Sequence, residues 1–561
     1  EVLFGSVGAG AARQRLERTV AMQRNAWACV AIVAAMLVCV SAAAGGGTFD
    51  AFPLTRVDVR EESFGSQQAL MNLLAYPVAP GEPVDGGHRA GAILSLLDVV
   101  DRHAQYLEES VGATAEEAQQ SFQRHLLGNM GGVVVVVPSA GSLSYEEREA
   151  WKSVEDSFAE YSIQVPYYFV HDSEEFQSVH ELIKENAAAS SSGGLSTVMQ
   201  LIEGHSYQLI SSASQPTRIK GAEGANIQGW LAGAAPSDGG QTPTVLILAH
   251  YDHFTLVPGM SEGANDNASG TVALLELARL YHRLYRGAGA AAPYNLLFLL
   301  TAGAPLNYQG AQDWLLTVDT RLAKSVEAVI SLDELGGDSL QDKVFMHASR
   351  PVKDPVAKRL YESFESAAEQ YSIDFEVKHY KVDLSDDELP WEHEHFSRDR
   401  YLATTVTTKP FPGLAHETSI LDTRDTVDVK VLDRNINFVA EALAKFLFNL
   451  QSDTMSVFEQ FQRDDEKFSA VLLHALATMQ RDVGHAEAAL VPELERALGS
   501  FTADVGVSTF KLDPSYTFFT YTPVTLAAHP VKPFMFDVVL SGVLCSMVAS
   551  IYFTVKSIDF L

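Results

Sequence analysis

Residues 244–270 read TVLILAHYDHFTLVPGMSEGANDNASG. The first part, 244–250, is continuously apolar up to its closing histidine. An uninterrupted run of this length predicts a strand buried on both faces, not a half-solvated one. Polar residues follow at once: His250, Tyr251 and Asp252, and then the glycine-bounded loop 263–270, which carries Asn265, Asp266, Asn267 and Ser269. Residues 271–285 are amphipathic at helical spacing.

The same alternation repeats downstream. NLLFLL (295–300) predicts a second buried strand and 310–318 a helix; VEAVISLD (326–333) predicts a third strand ending in Asp333. The stretch 429–450 predicts a long amphipathic helix that closes the region. Continuously apolar strands separated by helices imply an α/β fold, with a mostly parallel sheet covered by helices on both faces. In such sheets functional groups gather beyond the carboxyl ends of the strands. His250, Asp252, Asp266 and Asp333 all fall there.

Upstream, residues 91–127 show helical periodicity. GGVVVVV (131–137) predicts a buried strand, 145–161 a helix and VPYYFV (165–170) another strand, which together make a smaller N-terminal α/β domain. AAASSSGG (187–194) has the composition of a linker. Downstream, 458–498 reads as predominantly helical and 501–521 as extended and aromatic-rich.

The chain has 561 residues, with 71 acidic against 40 basic side chains and a formal net charge of -31. This balance excludes a nucleic-acid partner, which requires a basic footprint. Two segments are far more apolar than the rest. Residues 26–44 carry no charge, follow Arg13, Arg15, Arg18 and Arg24, and end in small residues. That is the pattern of a secretory signal starting at Met22, with an uncut signal anchor as the competing reading. VVLSGVLCSMVASIYFTV (538–555) also lacks charge. As a helix it would extend about 27 Å, enough for a thin bilayer, and it predicts a C-terminal transmembrane helix. Residues 48–530 then lie across the membrane from the N-terminal arginines, on the lumenal side. Cys29, Cys39 and Cys545 all lie in the two apolar segments, so no disulfide is expected between them. The expected division is an upstream extension and signal (1–47), an N-terminal lumenal α/β domain (48–200), a central domain (201–450), a membrane-proximal region (451–533), the transmembrane helix (534–556) and a short tail (557–561).

His250-x-Asp252, the loop GANDNASG and the strand-terminal Asp333, in this order, resemble the M28-type co-catalytic zinc aminopeptidases, the group that includes the nicastrin-like and transferrin-receptor-like ectodomains. The resemblance covers about 207–450. It implies that His250, Asp266 and Asp333 stand at metal-binding positions and that Asp252 stands where the family has a residue orienting the histidine. It also exposes losses. The family's second strand is followed by E-E-x-G-L-x-G-S, whose first Glu is the general base and whose second is a ligand. Setting Gly310-Ala311 on the final G-S places Ala304 and Pro305 at the two glutamates. Alanine cannot accept a proton, and proline offers no side-chain ligand. Glu262 and Gln309 are the nearest polar substitutes. The final histidine of H-T-x-x-D-T-x-D falls at Leu421, with His416 five residues away; His393 and His395 in WEHEHF (391–396) are further candidates.

HYDHF, LLELARLYHRLY, YNLLF, NYQGA, WEHEHF and SILDTRDTVD, with VKP before the apolar tail, further resemble the nicalin family, an inactive branch. That resemblance implies a non-catalytic scaffold of the endoplasmic reticulum membrane. Its implied partners are a Nodal-modulator-type lumenal protein, a small multi-spanning membrane protein and the translocon that inserts multi-pass membrane proteins, with a link to Nodal signalling. No cofactor is expected, with room for a single residual metal ion at most. Buried without metal, His250, Asp266 and Asp333 would need hydrogen-bond partners, and Asn265, Asn267, Thr301 and Ser331 are near enough to supply them. The sequon Asn267-Ala268-Ser269 is expected to stay unmodified inside its loop. Two other functions remain open: a lumenal aminopeptidase with rearranged ligands that uses His416 or His393, and a peptide receptor that uses an open apolar cleft around Trp391.

Overall fold

The structure is a computed structural model. It describes residues 46–558 apart from 61, 79–80, 82–83, 86, 191–205, 236–238, 287–290, 338–342, 350–353, 383–384, 386–387, 412–417, 451–455, 459–464, 484–486, 523 and 532–533. The expected signal segment, its cysteines and His416 lie outside these residues.

The three apolar runs form the strands Thr244–His250, Asn295–Thr301 and Val326–Leu332, almost wholly buried along their lengths. They pair in parallel with one another and with Ala403–Thr407. Four further strands complete an eight-stranded mixed sheet. Lys343–Ala348 and Asp374–His379 lie beyond Ala403–Thr407, and Glu223–Leu231 and Ala503–Lys511 lie beyond Asn295–Thr301. The parallel centre is thus flanked by antiparallel joins on both sides, making the sheet less uniformly parallel than its apolar runs imply. Helix Ser269–Arg286 is buried around its whole circumference up to Tyr281. It packs on Val429–Phe448, where the Tyr281 hydroxyl donates to the Ala440 carbonyl.

The N-terminal domain is built on a closed seven-stranded barrel: Gly47–Pro53, Val524–Val531, Ser206–Ser211, Asn72–Pro77, Gly87–Ser95, Met130–Val137 and Tyr167–His171. Its helices Leu96–Ser110, Ala115–Phe122 and Tyr145–Glu160 start at capping boxes on Ser95, Thr114 and Ser144, which satisfy the first free amides of each helix. The helical stretch expected over 91–127 begins instead as the strand Gly87–Ser95. AGAIL sits between two parallel neighbours, and burial in the sheet overrides its local helical spacing.

The boundaries expected from sequence are also crossed. Ser206–Ser211 joins the barrel, not the central domain. The region expected to be membrane-proximal visits all three sheets: Ala503–Lys511 extends the central sheet, Tyr516–Phe518 pairs with Val57–Val59, and Val524–Val531 closes the barrel. A strand that would otherwise leave an edge unpaired is supplied from the far end of the chain. The apolar C-terminal run lies in a helix, Phe534–Ile558. Among the described residues no helix is long and apolar enough to cross a membrane, so the expected C-terminal span is not supported by the fold.

Candidate functional site

Register brings the expected residues together. Thr301 pairs with His250 and Val406 with Leu332, so four parallel strands end side by side. Their following loops converge on a small cleft lined by His250, Asp252, Asp266, Asp333, Tyr308 and Lys409, among others. The loop carrying Asp266 is fixed from below. Gly263 has φ +53, and a Cβ there would lie 2.3 Å from His253 Nδ1, so only glycine is accommodated. A π-turn, Ala264–Ala268, then leads into the helix Ser269–Arg286. The amides of Asn265 and Asp266 donate to the two carboxylate oxygens of Asp422 at 2.8 and 2.9 Å. Arg481, fully buried, donates to the carbonyls of Leu476, Tyr251, Glu262 and Gly263 and to the Asn267 side chain. Asn267 is 1% exposed and engaged in this way, which fits an unmodified sequon.

Of the suggested partners Asn267 does donate to Asp266, at 3.5 Å, but the other contacts of the four expected residues differ from those the sequence suggested. Asp252 does not touch His250; its carboxylate accepts the amides of Gly303 and Ala304 at 2.6 and 3.3 Å. Burial outweighs those bonds and raises its pKa to about 6. The two ring nitrogens of His250 lie 3.9 Å from Asp333 and 3.9 Å from Glu392. Burial would lower its pKa, but these carboxylates prevail and raise it to about 9. Thr301 and Ser331 donate to Glu392 at 2.6 and 3.1 Å, and not to His250, Asp266 or Asp333. Burial raises the pKa of Asp333. The carboxylate of Asp266 accepts from Thr418 at 2.5 Å and faces Lys409 Nζ at 3.4 Å. Burial would raise its pKa, but Lys409 and His250 hold it well below the usual carboxylate range.

Lys409 is the group that sequence reading missed. Its ammonium lies 2.5 Å from Glu334 and 3.4 Å from Asp266, and the charge of Asp333 also acts on it. Burial opposes its charge, yet the surrounding carboxylates hold its pKa well above that of a free lysine. Glu334, raised to about 7 by burial, has φ +40, a left-handed conformation that costs a non-glycine residue about 1 kcal/mol or more. It is kept there by Thr408, whose amide and hydroxyl donate to the Glu334 carbonyl at 3.0 and 2.7 Å.

The other candidates turn away from the cleft. Glu262 binds the Arg424 amide and guanidinium, and Gln309 bonds Lys511 and Asp513 at the sheet edge. His393 is buried between Thr405 and Ser349, and burial lowers its pKa to about 3. His395 bonds the Asn307 carbonyl at 2.8 Å. Trp391 is 3% exposed and stacks on His347, with ring centroids 4.4 Å apart. The cleft beside it encloses about 50 Å³, space for a few waters, whereas ligand pockets start at about 300 Å³. Among the described residues the cleft at this position is thus smaller than a peptide pocket. A larger cavity of about 800 Å³ lies elsewhere, between the barrel and the C-terminal segment, beside the Glu262–Arg424 pair.

Counting back from Gly310, the family's E-E-x-G-L-x-G-S places its middle glycine at Asn307, which has φ +57. Asparagine is the residue that tolerates this region best after glycine. Leu421 is 3% exposed and packs, with Ile420, into the apolar cluster of the N-terminal domain alongside Leu256, Val257 and Met260. The donor set does not fit the metal pair that the aminopeptidase fold implies, because the Lys409 ammonium already engages the carboxylates. Among the described residues no group of three or more His, Cys, Asp or Glu side chains is arranged to hold a metal.

Residues 226–443 match the model of peptidase family M28. The chain is 28% identical over 560 residues to the BOS complex subunit ncln of Danio rerio, covering 94% of this chain and 93% of that protein. It is 27% identical over 457 residues to nicalin of Caenorhabditis elegans, covering 75% and 79%. The chain is a homologue of nicalin with an M28 domain. Among solved structures it is similar to an aminopeptidase from Aneurinibacillus sp. strain AM-1, at TM-score 0.32 and 12% identity over 77% of this chain and 88% of that one, too remote to bear on site or chemistry.

Proposed function

We propose that the chain is a non-catalytic subunit of a BOS-type complex, a scaffold in which an M28 frame serves assembly instead of hydrolysis. The observation that carries this reading is what fills the site: Ala304 and Pro305 face the cleft, and the Lys409 ammonium lies among its carboxylates. No residue at the family's base position can take a proton from water. The names of the homologues supply the complex.

The rest of the reading extends that core. The location is the endoplasmic reticulum membrane, with the bulk of the chain lumenal. The proposed partners are a Nodal-modulator-type lumenal protein, a small multi-spanning membrane protein and the translocon for multi-pass proteins, with effects on Nodal signalling following from that assembly.

The test is affinity purification of the full chain from membranes in mild detergent, with co-purifying chains identified and amide hydrolysis assayed on the same sample. Partners of these classes should co-purify with wild type and with Asp333→Asn alike, without hydrolysis. Hydrolysis dependent on stoichiometric zinc, or a chain that purifies alone and leaves the membrane at high pH, would overturn it.

A further inference from the structure

The Lys409 position is specified by the fold, not by a flexible surface chain. Lys409 follows the central strand Ala403–Thr407, and its amide donates to Thr407 Oγ1 at 3.1 Å. Its carbonyl lies 2.9 Å from His347 Nε2 on the neighbouring antiparallel strand. The ammonium therefore emerges at the strand ends, where Asp266, Asp333 and Glu334 meet from two other loops. Asp333 is buried and Asp266 and Glu334 are half-buried, and among the described residues the other cations acting on them are His250, Arg481 and the more distant Lys152. Carboxylates gathered in a partly desolvated cleft repel one another, so the arrangement favours a positive charge among them. The left-handed backbone of Glu334 points the same way: Thr408 holds the residue in a costly conformation that keeps its carboxylate on Lys409.

We propose that Lys409 is the resident cation of this site, a covalently tethered replacement for divalent metal that neutralises Asp266, Asp333 and Glu334 and keeps metal out. The cleft is then stable without any ion, whereas a chain lacking the ammonium would leave its carboxylates uncompensated and free to rearrange around one. This rests on the non-catalytic reading of the same cleft, but it is tested by stability and metal content. A failed partner pull-down would leave it standing, and a failed metal test would leave the scaffold standing.

The experiment uses the full chain in detergent, dialysed against zinc or against EDTA, with metal content and thermal unfolding both recorded. Wild type should hold no stoichiometric zinc and unfold at the same temperature in both buffers. Lys409→Met should unfold about 5–10 °C lower in EDTA and recover most of that loss in zinc, with metal bound. Adding Asp266→Asn and Glu334→Gln to Lys409→Met should restore stability without metal. If Lys409→Met does not fold, this triple variant decides the matter: rescue supports charge compensation, and continued failure overturns it. Stoichiometric zinc in wild type, or a Lys409→Met protein as stable as wild type in EDTA, would also overturn the proposal.

Discussion

Restoring the family's last histidine by Leu421→His should damage the protein and not rebuild a site. Leu421 is 3% exposed within the cluster that joins the loop 418–425 to the N-terminal domain, and the neighbouring Ile420 amide donates to Glu155 at 2.8 Å. Losing a buried leucine side chain removes about 1.5–3 kcal/mol of transfer free energy. An imidazole turned into that apolar cluster in place of the leucine leaves its ring nitrogens unpaired, which adds about 1–3 kcal/mol. The sum is about 2.5–6 kcal/mol, a large share of a typical domain's stability. It should also depend on pH. His103, buried in the same domain, is held down to about 4 by burial, and a new histidine at 421 would be depressed likewise. A group with a lowered folded-state pKa favours the fold above its unfolded value of about 6.5 and loses that contribution as pH falls. Urea unfolding of wild type and variant at pH 8 and at pH 6 would measure this, with the larger loss expected at pH 6. A variant as stable as wild type, or one that gains stability and stoichiometric zinc, would refute the assignment of Leu421 to packing.

Two further outcomes follow from buried charge. Glu155 has its pKa raised by burial from 4.5 to about 7, so wild-type stability should fall by up to about 3 kcal/mol as pH rises from 4.5 to 7 and then level off; Glu155→Gln should lose that slope in pH-dependent urea midpoints. Arg481→Met should cost about 3–5 kcal/mol at any neutral pH, because four carbonyls and the Asn267 side chain lose their donor, and an unchanged urea midpoint would contradict that.

The central sheet was legible because its signal is local: three strands buried on both faces must be continuously apolar, and parallel order places their ends together. His250, Asp252, Asp266 and Asp333 were legible for the same reason, each standing within a residue or two of a strand end or a glycine-bounded loop. Lys409 was not. Lysine after a strand is ordinarily a solvated side chain, and only the pairing of Ala403–Thr407 with Val326–Leu332 reveals that it enters a ring of carboxylates. Glu392 and Arg481 were hidden likewise: their partners lie 61 to 91 and 214 to 230 residues away for the bonds from Ser331, Thr301, Asn267 and Tyr251. The barrel was missed because its closing strand comes from 524–531, and nothing local says that the far end of the chain pairs with Gly47–Pro53.

The retained acidic residues then have a reading independent of hydrolysis. Asp252 holds the amides of Gly303 and Ala304, the turn where the base would stand. Asp266 is tied through its own amide to Asp422 and through its carboxylate to Thr418 and Lys409, which fastens the helix Ser269–Arg286 to two other loops. Each has become a joint between strand ends. Because an unpaired buried amide or charge is costly, removing such a joint penalises folding whether or not any chemistry occurs. Pro305 and Leu421 carry no comparable penalty, since proline stands in a turn and leucine packs in the apolar cluster of the N-terminal domain. Alanine substitution at Asp252 or Asp266 therefore reports stability first, so tests of assembly should use isosteric changes such as Asp333→Asn.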